Sequence, residues 1–424
     1  MLREIAPVTT LLLGVAILLA GQGLQGVLIP LRATLEDFST LAVGFIGATY
    51  FLGFTFGCWK GPGLIRRTGH VRVFAAMTAI ASASPLLAGL WVSVYSWAML
   101  RFLTGFCFAV LYVVIESWLN ERATNQNRGK VFSAYILINM TMLAAGQQML
   151  LLTDPRDLHL FAAVSVMVSL AAVPLLMSTR EEPSQVGESR LDFGALYRNS
   201  PTGMLGSLAS GLANGPFWAL APVFVVATTG NAEASAWFMT AVVLGGAVGQ
   251  WPLGWLSDRV DRRLVLLGIL LAAFATGLVT WLLVGRINLP TLLALGAVWG
   301  AVAFPVYSIS VAQANDRATP DTFVMISSGL LMMYGVGAIT GPFIASAVMT
   351  LVGAGGLYLY AAAIHLLTAG YVILRRGRRA ETPALQHTEF SDALATAMTA
   401  SHVYEEELKT GEREAEAAAA TGPG

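Results

Sequence analysis

The chain is 424 residues long, 56% hydrophobic and only 12% charged, with zero formal net charge and a mean hydropathy of +0.67. Soluble domains carry about a quarter charged residues, so this composition excludes a soluble globular protein and points to an all-α, multi-pass membrane protein. Its two cysteines, Cys58 and Cys107, lie inside apolar runs, which excludes a disulfide framework and a thiolate metal site.

A hydrocarbon core of about 30 Å takes roughly 20 apolar residues to cross. Taken in chain order, twelve stretches meet that need: Thr9 to Ile29, Leu41 to Lys60, Val71 to Trp91, Trp97 to Leu119, Val131 to Leu152, His159 to Ser178, Pro201 to Thr228, Ala234 to Leu256, Leu264 to Val284, Thr291 to Gln313, Phe323 to Thr350 and Gly355 to Leu374. Arg3 before LLLGVAILLA imitates a signal peptide, but apolar character runs on to Pro30 without a cleavage motif, so the first stretch is expected to stay as a span.

With the N-terminus inside, the inner connections and flanks hold nineteen basic residues and the outer ones three, Arg32, Arg156 and Arg286. That bias places both termini in the cytoplasm. The expected division is a six-helix bundle over 1–178, a cytoplasmic linker over 179–200, a second bundle over 201–379 and a tail over 380–424. The tail carries two basic and nine acidic residues. Its composition cannot bury a core, and it is expected to be disordered or a surface helix, dispensable for activity.

The two halves repeat one another. After the fourth span comes NERAT from Asn120, and after the tenth comes NDRAT from Asn315, 195 residues later. Tyr112 and Tyr307 each precede their Asn by eight residues, and Gly61 answers Gly254. Parallel repeats around a central site are a transporter architecture, with solute held near the bilayer midplane.

The segment GWLSDRVDRR resembles the signature loop of the major facilitator superfamily (MFS), a Gly, three residues, Asp-Arg and a basic pair, matched by Gly254, Asp258, Arg259, Arg262 and Arg263. The first-half copy, GPGLIRRTGHVR, keeps Gly61, Arg66 and Arg67 but has no carboxylate at the Asp position. RFLTG from Arg101 is similar to the family's fourth-span Arg motif, and Glu121 followed by Arg128-Gly129 is similar to the sugar-transporter-like branch. ESWLNERATNQNRGK resembles the bacterial YcaD-like branch and, more loosely, bacterial riboflavin transporters. The resemblance implies a twelve-helix fold whose charged inner loops act as gates. Gly61, Arg66, Arg67, Glu116, Glu121, Arg128, Gly254, Asp258, Arg259, Arg262, Arg263, Asp316 and Arg317 are the gating candidates. Setting topology is the plainer role for isolated Arg66 and Arg317.

Solute-lining candidates come from polar residues inside spans, where an ionisable group costs about 2.5 to 3.5 kcal/mol. Arg101, Gly105, Phe108, Tyr112 and Glu116 share one helical stripe, expected to face the central cavity. Glu116 sits near the inner face, where pairing with a loop arginine is favoured over carrying a proton. Gln22, Gln25, Asn139, Asn214, Trp218, Tyr307 and Tyr334 complete the set with Arg101 and Tyr112. Buried amides must bind solute or pin helices, and the aromatics can stack on a planar ring.

Of the adjacent pair Gln147 and Gln148, at most one can face the cavity squarely. The fifth span lacks the Gly-Pro motif of drug/proton antiporters, which weakens an efflux function. No catalytic residues, cofactor, metal cluster or nucleotide-binding loop is expected, and the chain is read as a non-enzyme. The functional expectation is alternating-access transport of a small organic solute, riboflavin or another flavin being the named candidate, with a proton as a coupling partner. Efflux of amphipathic compounds and a non-transporting scaffold or sensor are the alternatives. The partners expected are the solute and the lipid bilayer, not nucleic acid, and the setting is a monomer in a bacterial inner membrane.

Overall fold

A computed structural model of the chain describes residues 9–122, 128–177, 192–318, 320–376 and residue 390. Most of the linker, nearly all of the tail and the side chain of Arg128 lie outside the described residues. Those described are overwhelmingly helical, with no strand among them. Besides a short linker helix, Phe193–Asn199, twelve long helices run in order among the described residues: α1 Thr9–Leu35, α2 Thr40–Thr68, α3 His70–Leu90, α4 Val94–Arg122, α5 Arg128–Gln148, α6 Leu158–Leu176, α7 Pro201–Thr229, α8 Glu233–Arg259, α9 Arg262–Leu283, α10 Leu289–Asn315, α11 Pro320–Val352 and α12 Gly356–Arg376. Eleven of these pass as membrane spans by length and hydropathy. The other, α8, has the length but ends in the polar Ser257, Asp258 and Arg259.

Local chemistry sets the helix ends. Ser39, Ser200, Asp261 and Asn288 each cap the helix that follows by accepting a backbone N–H in its first turn, which satisfies donors that a helix start leaves orphaned. Gly69, at φ 90°, turns the chain from α2 into α3 in a conformation closed to most side chains. Pro174 and Pro305 each stand just after a break in their helix, in α6 and α10, because proline cannot donate to the preceding turn. Helices overrun the apolar stretches: α2 continues eight residues past Lys60 to Thr68, through charged sequence that hydropathy alone does not count.

Packing repeats in the two halves. In the first, α2 lies on α4 with Gly53 pressed against the Phe102 carbonyl; in the second, α8 lies on α10 with Gly249 against the Ala301 carbonyl. A Cβ at either glycine would collide with backbone, so the close approach depends on hydrogen there. The bundle's outer surface carries large exposed apolar side chains such as Trp251, Leu137 and Leu367, the kind of surface hydrocarbon covers.

The end of the bundle that carries the two repeated loops also holds the tail's described residue. Phe390 is 6% exposed and packs among Val265, Ile269 and Val372.

Candidate functional site: a polar cluster between the halves

Four side chains from α1, α2 and α4 form one connected group. Gln22 Nε2 donates to the Tyr50 hydroxyl at 3.1 Å, and the Tyr112 hydroxyl donates to Gln22 Oε1. The Arg101 guanidinium lies over the Tyr50 ring, 4.2 Å from its centroid. Gln22, Arg101 and Tyr112 are half-buried, as groups lining an interface are, while Tyr50 is buried beneath them. One amide thus bridges two phenols, and one phenol holds the only cation of the group. Tyr50 was not among the sequence candidates. Its neighbours in GATYFLGFTFG are apolar, and the one available signal was its i, i+4 spacing from Phe54, whose ring lies 6.2 Å away.

The α4 stripe divides rather than facing one way. Gly105 is pressed on the Tyr50 carbonyl and Phe108 is fully buried, so these two positions serve helix packing. Arg101 and Tyr112 remain at the interface. Glu116 continues the path inward at 2% exposure. It neighbours the hydroxyls of Tyr112 and Tyr135 and the thiol of Cys58. No loop arginine accompanies it among the described contacts, unlike the pairing expected from its place in the sequence. Tyr135 in turn neighbours Asn139, which joins this branch rather than the Gln22 group. Gln25 is buried, and no described hydrogen bond links it to either set.

From the second half, Tyr307 and Tyr334 form a ring pair with centroids 5.0 Å apart. Asn214 donates to Ser210 Oγ at 3.1 Å and neighbours Tyr334. Trp218 stacks on Phe304 at 5.8 Å, and Trp299, 1% exposed against Phe217, belongs to the core. The two groups face one another where α2 meets α11, with Tyr334 of α11 coupled electrostatically to Tyr50 and Tyr307 of α10 to Cys58. There Gly335 packs on Thr55. Amide, phenol and guanidinium from one side therefore oppose two tyrosine rings and an amide from the other.

The gating candidates separate into roles. Arg262 spans two carboxylates, Asp258 Oδ1 at 3.1 Å from Nη2 and Asp316 Oδ2 at 3.0 Å from Nε. All three residues belong to the second half, so in this arrangement the trio ties the α8–α9 loop to the end of α10, within one half. Arg259 instead covers the exposed Trp255 ring at 3.9 Å. Arg263, buried, donates its backbone N–H to the capping Asp261 at 3.0 Å. Gly61 packs on Val110 of α4, Arg66 and Arg67 close α2, Glu121 is exposed, and Arg317 lies two residues beyond the end of α10.

At the opposite end the halves are fastened directly. Gln148 Nε2 donates to Thr240 Oγ1 at 2.7 Å and to the Ala236 carbonyl at 3.1 Å, while Thr240 donates to Gln147 Oε1 at 3.2 Å. Both glutamines thus reach one hydroxyl of α8 from adjacent positions at the end of α5, as long amide side chains can. In a separate contact between the halves, Phe45 of α2 meets Phe343 of α11, centroids 6.1 Å apart, and a Cβ on Gly44 would lie 2.7 Å from the Pro342 carbonyl.

Residues 203–408 match the family model described as Major Facilitator Superfamily. YcaD of Salmonella typhimurium, an uncharacterised MFS-type transporter, is 28% identical over 384 residues, covering 89% of this chain and 97% of that protein. An uncharacterised MFS-type transporter of Yersinia enterocolitica matches equally well, 28% identical with the same coverage. In fold, the chain is similar to the nucleoside transporter NupG, with a TM-score of 0.74 at 13% identity over 87% of this chain and 99% of that one. It is also similar to a bacterial homologue of the lysosomal transporter Spinster in an inward-facing, occupied conformation, with a TM-score of 0.71 at 14% identity over 92% and 99%. Sequence relatives and twelve-helix fold agree in direction: the second half matches the MFS model, and the whole chain is similar to MFS-type transporters.

Proposed function

We propose that the chain carries a small, planar, hydrogen-bonding organic solute across a bacterial inner membrane by alternating access, with both termini in the cytoplasm. The observation that carries this is the opposition of the Gln22–Tyr50–Arg101–Tyr112 group to the Tyr307–Tyr334 ring pair. An amide and a guanidinium read hydroxyls and carbonyls, while tyrosine rings stack on a flat heterocycle. Riboflavin and nucleosides both have that chemistry, and NupG, similar in fold, is a nucleoside transporter. With α5, α2 and α11 fastened at the end far from the repeated loops, the solute path opens toward the cytoplasm.

Glu116 supports a second element, a coupling proton. A carboxylate held among aromatic hydroxyls, without a described arginine, is a place where a proton can ride between the two states. Uptake of radiolabelled riboflavin and of a nucleoside panel into proteoliposomes tests both parts. Saturable uptake of one member, lost in Arg101→Ala and driven by an inward proton gradient in wild type but not in Glu116→Gln, is expected. Uptake unaffected by Arg101→Ala would overturn the solute site. Proton-driven accumulation retained in Glu116→Gln would overturn the coupling role alone.

A further inference from the structure

Phe390 sits 132 residues along the chain from the loop motif it touches, in a tail whose composition gives it no core of its own. Its backbone N–H donates to both carboxylate oxygens of Asp258, at 3.1 and 3.2 Å. Its ring covers Gly254, where a Cβ would overlap the ring atoms. Phe390 belongs to one hydrophobic cluster with Val265, Ile269 and Val372. The motif glycine therefore has a second use here, leaving room for an aromatic ring.

We propose that Gly254, Asp258 and the start of α9 form a socket whose occupant is the chain's own C-terminal tail, plugged in at Phe390. Charge supports that occupant. Residues 380–424 hold nine acidic and two basic residues, with Glu389 and Asp392 flanking Phe390 in sequence, while the socket lies among Arg259, Arg262 and Arg263. The tail shares the Asp258 carboxylate with Arg262, so docking loads the same group that ties α8 to the end of α10. A plugged socket holds that carboxylate in place, and the tail becomes a regulator of the gate rather than an appendage.

Hydrogen exchange at the Phe390 amide in the purified full-length chain tests this, because that N–H is itself the contact. It should exchange at least tenfold slower than an unprotected amide in the same sequence. Asp258→Ala, which removes the acceptor, and Gly254→Val, which fills the socket, should each return it to the unprotected rate. Phe390→Trp should keep protection, and Phe390→Ala should lose it while raising exchange across Gly254 to Val260. Because ionic steering is screened by salt, protection should also weaken at 0.5 M NaCl relative to about 0.05 M. An unprotected Phe390 amide in wild type, or protection that survives Asp258→Ala, would overturn the proposal. Either result leaves the solute site untouched, since Phe390, the tail's described residue, meets Asp258 and Gly254 and not that site.

Discussion

Arg262 and Asp316 meet at 3.0 Å with side chains 2% and 3% exposed, joining the signature loop of the second half to the repeated NDRAT pentapeptide. This explains why the pentapeptide carries an acid at that position. Each ion alone would be costly to bury, and Arg262 offers Asp316 one nitrogen while another engages the more open Asp258, whose side chain is 32% exposed. The same relationship makes an asymmetry between partners and pair testable. Removing one partner of a buried ion pair costs about 3–5 kcal/mol, whereas replacing both with apolar groups is often neutral. Arg262→Met is expected to lower the thermal unfolding midpoint in detergent clearly, and Arg262→Met with Asp316→Leu to recover most of the loss. A double variant as unstable as the single one would mean that the charge itself, and not its pairing, is what the fold needs.

The Gln148–Thr240 bridge joins α5 to α8 at the end away from the repeated loops, and it must break for that end to open. A hydrogen bond contributes about 1 kcal/mol, so losing it shifts a two-state balance about fivefold. Thr240→Val keeps the volume and removes the hydroxyl. In a background with Cys58→Ser and Cys107→Ala, a reporter at Ser346→Cys, on a residue fully buried against Gly44, should label with a water-soluble maleimide about fivefold faster when Thr240→Val is added. An unchanged rate would show that the α2–α11 contact closes this end by itself.

Some of this was legible from residues alone. Spans and the two-half repeat follow from hydropathy and spacing, since a hydrocarbon slab imposes length and polarity directly on the sequence, and the signature loop follows from its resemblance to the family motif. Pairing did not follow. Asp258, Arg262 and Asp316 could each be named, but Arg262 and Asp316 meet only because α9 and α10 return the chain to the same end of the bundle. Tyr50 escaped notice for a different reason: in an aromatic-rich apolar helix, a phenol that anchors an arginine has the same sequence context as one that fills the core. Phe390 escaped because a lone aromatic in a polar tail has no periodicity to reveal that it is buried. Gln147 and Gln148 are adjacent on α5, yet both reach one hydroxyl of α8, a convergence that long side chains allow and spacing alone does not reveal.

Glycine is the other place where sequence shows the inventory and hides the assignment. The chain has 43 glycines, yet Gly26 and Gly268 face open space while Gly53 faces the Phe102 carbonyl. Gly53→Ala is therefore expected to push α2 off α4 and destabilise the first half by about 1–3 kcal/mol, as overpacking does. Gly268→Ala should be neutral or slightly stabilising through helix propensity. Comparing the two unfolding midpoints checks the close approach without involving any solute. Equal midpoints would mean that α2 and α4 are farther apart than the structure has them.

The Arg101–Tyr50 contact decides how the cluster reads its solute. A guanidinium above a phenol ring is held by the ring's negative face, a contribution of about 0.5 to 2 kcal/mol depending on how dry the site is. The phenol hydroxyl separately accepts from Gln22, so the ring orients the arginine and the hydroxyl orients the amide. Three substitutions separate these links. Tyr50→Phe keeps the ring and frees Gln22 Nε2, and should weaken solute binding modestly, by a factor of about 3 to 10 for one hydrogen bond. Tyr50→Leu loses both links and should weaken binding further. Arg101→Lys keeps the charge but gives up the planar fork, and Arg101→Ala gives up both, so affinity is expected to fall in the order wild type, Lys, Ala. The measurement is equilibrium binding of whichever panel member is transported, with folding of each variant checked by its elution profile in detergent. If Tyr50→Phe binds as weakly as Tyr50→Leu, the hydroxyl and its amide carry recognition and the cation over the ring is only packing. If both Arg101 variants bind like wild type, the solute does not contact this end of α4 and the site must lie nearer Tyr307 and Tyr334.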